Sequence, residues 1–193
     1  MHPGVQNRGF SLIELLVTLV IFSVGMLAVA GLQTVSKQAN FESLQRTTAS
    51  QAAYGLLENM RINGAGIDTY RAAADLGGGS LGAEPAPDCK TVAGTCDEFE
   101  QAAHDLWYWE NFLDGAMENG AAGASGGVLS PTVCINGPVG GGAGVYVVSI
   151  AWRGVVALSN PITDPCGDGT GKYGDANEFR RVTQFATFID PTL

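Results

Sequence analysis

Few residues in this chain have the type and spacing to do chemistry, and Glu14 stands out among them. It is the one charge in an apolar run that starts directly after Gly9 and continues to about Leu32. A carboxylate there costs about 2.5–3.5 kcal/mol at the centre of a bilayer and less near its edge. The chemistry open to it is electrostatic: pairing with a positive group in the same low-dielectric medium. Cys89, Cys96, Cys134 and Cys166 form a second set, an even count suited to disulfides. Six residues separate Cys89 from Cys96, which reads as a small structural bridge. That spacing is not C-x-x-C and no His lies near it in sequence, so no metal site is expected there. Four cysteines allow three connectivities, which the spacing leaves open. A bridge between Cys134 and Cys166 would pin a C-terminal loop to a strand.

The other candidates fall short of a site. Outside the N-terminal leader the only histidine is His104, and nothing places a third group beside a Cys–His pair. It reads as a surface or partly packed helix residue, and no catalytic residue is assigned. Gly167-Asp168-Gly169-Thr170-Gly171-Lys172-Tyr173 resembles a phosphate loop superficially. It fails because Cys166 stands at the required first Gly and Tyr173 replaces Ser/Thr. Asp164, Asp168 and Asp175 offer oxygens to Ca²⁺, but without EF-hand spacing they read as a solvated loop. A net charge of −9 with no Lys/Arg cluster argues against nucleic acid as a partner. No cofactor is implied.

The elements that must position these residues follow from periodicity. Residues 10–61 read as one helix, about 80 Å long, with no Pro between Phe10 and Pro85. Its first half is apolar all round. Its second half carries a stripe through Leu32, Val35, Ala39, Leu44, Ala52, Leu56 and Met60. Gly25 and Gly31 are weak points, each costing about 1 kcal/mol relative to Ala. Residues 63–96 read as a long loop. Thr95-Cys96-Asp97-Glu98 has the S/T-x-x-E form of a capping box. A short helix then runs to about Leu113, with Phe99, Ala103, Leu106 and Leu113 on its inner face and Ala102 beside them. Trp107 and Trp109 cannot share that face. Strands are expected over 127–135, 144–152, 155–158 and 180–189, joined by Gly-rich turns; the chain has 27 glycines.

The N-terminus admits three readings. A secretory signal cut at Ala28-Val29-Ala30 would release a soluble binding protein, but the apolar run is too long for such a core. A plain membrane anchor fits the length and leaves Glu14 unexplained. Cleavage between Gly9 and Phe10 with the helix retained accounts for both features. Gly9-Phe10-Ser11-Leu12-Ile13-Glu14 resembles the class III signal of type IV pilins and type II secretion pseudopilins. The resemblance implies that a prepilin peptidase cuts after Gly9 and methylates the amine of Phe10. Glu14 then becomes the fifth residue and pairs with such an amine to set the register of assembly.

It also implies an α+β fold, with a long N-terminal helix packed on an antiparallel head. Residues 1–9 would be leader, 10–32 the membrane and filament-core helix, 33–62 its amphipathic half, and 63–193 a periplasmic head. Arg8 ahead of the span keeps the leader cytoplasmic. Further along, Gln51-Ala52-Ala53-Tyr54-Gly55-Leu56-Leu57-Glu58-Asn59-Met60-Arg61, Asp105-Leu106-Trp107-Tyr108-Trp109, Ile150-Ala151-Trp152-Arg153 and Arg180-Arg181-Val182 are most similar to the PilV group of minor pilins. The implied role is non-enzymatic: a tip or priming complex for pilus assembly, supporting twitching motility and adhesion. The implied partners are other minor pilins and the major pilin through the helix, the prepilin peptidase, the inner-membrane assembly platform and a tip adhesin. A minor pseudopilin shares the leader and helix but has a smaller head.

Overall fold

The computed structural model describes residues 9–73, 75–90, 95–117, 119–120, 123–124, 126–161 and 164–192. The elements in chain order are α1 (Leu12–Ile62), a 3-10 turn (Gly64–Gly66), α2 (Ile67–Ala72), α3 (Glu98–Leu113), β1 (Asn119–Gly120), β2 (Gly123–Ala124), β3 (Thr132–Asn136), β4 (Gly144–Arg153) and β5 (Arg180–Ile189). The chain divides into two units that meet in sequence at Phe41 and Glu42. Together the elements make an α+β architecture: a long N-terminal helix packed against a small three-stranded antiparallel sheet.

In the first unit, every described residue is exposed, including Phe10, Leu12, Leu27 and Leu32. The helix continues through Gly25 and Gly31. By length and composition it can cross a membrane.

In the second unit, α1 buries Gln45, Ala49, Ala52, Ala53, Leu56, Leu57 and Met60. The expected stripe therefore holds from Ala52 onward, but Leu44 points outward and Gln45 takes the inner position. Gln45 is accommodated because its Oε1 accepts the N–H of Leu129 at 3.3 Å. Close approach is possible at Gly55, where a Cβ would lie 2.2 Å from the ring of Trp109 on α3. The residues after α1 hold more helix than expected, since the 3-10 turn and α2 fall within the stretch read as loop.

The sheet order is β3-β4-β5, all antiparallel. Tyr146, Val148, Ile150 and Trp152 alternate along β4 and enter the main core with α1, α3, Val133 and Ile135. The opposite face of β4 carries Ala151, which packs with Cys166 and Tyr173 in a second cluster. Three expectations need correction. The first strand begins at Thr132 rather than 127, because Pro131 has no N–H to donate and Gly126, Gly127 and Ser130 adopt positive φ. Residues 155–158 are not a strand: Val155 N–H goes to Glu42 Oε1 and Leu158 N–H to Glu178 O, so the apolar run is an exposed connection. The capping box is Asp97 with Glu100, two residues later than the Thr95 form. Asp97 Oδ1 accepts the N–H groups of Phe99 and Glu100 at 2.9 and 2.8 Å, and Glu100 Oε2 accepts the Asp97 N–H at 3.1 Å. The inner face of α3 is accordingly Ala102, Asp105, Leu106, Glu110 and Leu113, while Phe99 is exposed.

Candidate functional site

Gly9, Phe10 and Ser11 precede the helix and have no regular structure. No atom lies within 4 Å of where a Cβ on Gly9 would be, and Phe10 is 86 % exposed. The Ser11 carbonyl accepts the Leu15 N–H at 3.3 Å, which starts the helix. Glu14 lies in the first turn, where unpaired N–H groups and the helix dipole favour a negative charge. The hydroxyls further along do not call for water. Thr18 donates to Leu15 O at 2.9 Å and Thr34 to Ala30 O at 3.1 Å, and Ser23 bonds Leu19 O in the same way. Such back-bonding lets hydroxyls lie in an apolar medium without unsatisfied groups.

In the head, Cys89 is bonded to Cys96 and Cys134 to Cys166. The second bridge fastens β3 to the loop ahead of β5. That loop is organised from inside by Arg180, which is 1 % exposed. Its guanidinium donates to Asn160 Oδ1 at 2.8 Å, Asp164 O at 2.8 Å and Cys166 O at 2.6 Å, and also to Pro161 O. Asp164 is buried rather than solvated, accepting Ser149 Oγ and the Cys166 N–H. Asp168 and Asp175 are exposed, and the three aspartates do not converge among the described residues. Lys172 is engaged as well, donating to Thr132 Oγ1 at 3.2 Å and Pro131 O at 3.3 Å. The glycine-rich segment is a structural loop with no phosphate cradle.

Two constellations have no local sign in the sequence. Glu110, 1 % exposed, accepts the N–H groups of Gly77, Ser80 and Leu81 at 2.9, 2.7 and 2.9 Å and the Ser80 hydroxyl at 2.5 Å. Asp114 accepts those of Gly78 and Gly79 at 2.9 and 2.8 Å. The glycine loop at 77–81 is therefore an anion cradle filled by the chain's own carboxylates. The second constellation brings His104 to Glu84. His104 is buried, and its Nε2 lies 3.2 Å from Glu84 Oε1. Lys90 Nζ is 2.9 Å from the same oxygen. The Lys90 ammonium and then His104 hold the Glu84 carboxyl below its usual range. Trp107, on the outer side of α3, donates to Gly82 O at 3.1 Å and carries Lys90 over its ring. Trp109 packs against the core.

Residues 5–30 match the family model described as the prokaryotic N-terminal methylation motif. No curated protein and no solved structure matches the chain. The matched segment contains Gly9, Phe10 and Glu14 and supports a class III signal of the pilin type.

Proposed function

We propose that this chain is a structural, non-catalytic subunit of a type IV pilus, a minor pilin of PilV type. The observation that carries the reading is the coincidence of the methylation motif with an exposed Phe10 and an apolar stretch over 10–32 whose residues are all exposed. A prepilin peptidase removes residues 1–9 and methylates Phe10. The helix over 10–32 then holds the subunit in the inner membrane with its head in the periplasm, and later in the filament core. Residues 33–62 carry the helix into the head formed by 63–193. Glu14 pairs with the Phe10 amine of its own chain or a neighbour, and that pairing fixes the axial register of adjacent subunits. The partners are other minor pilins, the major pilin, the assembly platform and a tip adhesin, and the phenotypes are twitching motility and adhesion.

Glu14→Val tests the assembly role. The variant is expected to insert and to be cleaved, because the change makes the span more apolar and leaves Gly9 and Phe10 intact. It is expected to fall at least about tenfold in sheared pili relative to membrane, since loss of a pair in low dielectric costs more than 1.4 kcal/mol. Recovery in pili at the parent level contradicts the role given to Glu14. A pseudopilin of type II secretion carries the same motif. It would show its defect in protein secretion rather than in piliation.

A further inference from the structure

We propose that Glu84, Asp88 and His104 form a binding site for a divalent first-row transition metal ion, of which Zn²⁺ is the type. Each offers one ligand atom, and these atoms lie within 4.8 Å of one another. His104 Nε2 and Glu84 Oε1 are 3.2 Å apart. Two ligands at about 2.0–2.2 Å from one tetrahedral Zn²⁺ stand roughly 3.4 Å from each other, so the separation of this pair suits a shared ion. The imidazole is the fixed member: its side chain is 5 % exposed and is carried by α3, facing the two exposed carboxylates. Asp88 Oδ1 accepts the Lys90 N–H at 2.9 Å, and the neighbouring Cys89 is tied to Cys96, which steadies the loop that presents the carboxylate. Water would complete the coordination of a bound ion. One imidazole with two carboxylates suits Zn²⁺ better than Ca²⁺, which takes six to eight oxygens.

Lys90 is an internal competitor for Glu84. Its Nζ sits 2.9 Å from the Glu84 oxygen that also meets His104, and an incoming cation displaces it. The lysine is half exposed and already lies over the Trp107 ring, so it can leave Glu84 and keep that contact. None of this depends on the pilin reading.

The test is calorimetric titration of the full chain in detergent with ZnCl₂, and in parallel with CaCl₂. With His2 replaced by Ala, His104 is the sole imidazole. The expected result is saturable binding of one Zn²⁺, at least about tenfold weaker in His104→Gln and in Asp88→Asn, and tighter in Lys90→Ala. Asp88 is exposed, so its variant keeps the test decisive if the His104 variant fails to fold. Absence of saturable Zn²⁺ binding, unchanged affinity in Asp88→Asn, or Ca²⁺ bound as well as Zn²⁺ overturns the proposal. Glu84, His104 and Lys90 then form only an ion-paired clasp.

Discussion

Tyr70 and Tyr173 show what burial does to single groups in the head. Both are 0 % exposed. Burial pushes both phenols above their ordinary range, and for Tyr70 the hydrogen bond to Asp105 adds to the effect. The folded state therefore keeps protons that the unfolded chain loses above about pH 10. Stability attributable to these groups is fully present below that pH and falls as pH rises toward the folded values, by about 1.4 kcal/mol per pH unit for each tyrosine. Melting temperature followed from pH 7 upward should be flat with respect to these groups and then fall above about 10, with phenolate absorbance rising together with unfolding. Tyr70→Phe should lower stability at neutral pH, because Asp105 loses a donor, and should show a shallower alkaline decline. Phenolate formation completed before unfolding contradicts this. At this scale the sequence was legible where the signal is contiguous: the N-terminal methylation motif matched over residues 5–30 is read from adjacent residues. His104 is not, because the partner that defines it, Glu84, is 20 positions away.

Helix α3 and the loop at 77–81 depend on each other as elements. Glu110 satisfies four donors from that loop, and three of them are backbone N–H groups with no alternative in the strands. Glu110→Ala removes the shared acceptor of several donors at a part-buried site, with an expected loss of about 2 kcal/mol. Chemical denaturation of the parent and variant measures it, and a difference under about 1 kcal/mol would contradict the cradle. The elements themselves were readable in proportion to their length. The first helix and β4 and β5 follow from long, regular patterns. The six-residue α2 is too short to show a period. The cap moved from Thr95 to Asp97 because two overlapping boxes exist, and the aspartate's own oxygen bonds two N–H groups at once. Residues 155–158 have strand-like composition but leave the sheet at Gly154, where the N–H bonds Phe179 O. Composition cannot report that the neighbouring strand has already turned away.

Across the head, two covalent ties close loops of unequal size. Cys134–Cys166 spans 32 positions and Cys89–Cys96 spans seven. On chain-entropy grounds the first is worth about 4 kcal/mol and the second about 2.5 kcal/mol. Replacing Cys134 and Cys166 by Ser should accordingly lower the midpoint of unfolding more than replacing Cys89 and Cys96. The reverse order would mean that the small loop does more than shorten the unfolded chain. The α+β class was visible from the sequence because a helix-period half precedes a strand-period half. Which residues of the helix and the rest of the chain meet was not, since Gln45 with Leu129 and Gly55 with Trp109 are pairings of distant stretches. The central claim concerns the whole chain: that it is matured as a pilin. Intact mass and N-terminal fragmentation of the protein purified from membranes of its own host test it most directly. The account predicts a chain that begins at Phe10 with an N-methyl group. A chain that begins at Gly31, or one that retains residues 1–9 in the presence of an active prepilin peptidase, contradicts it.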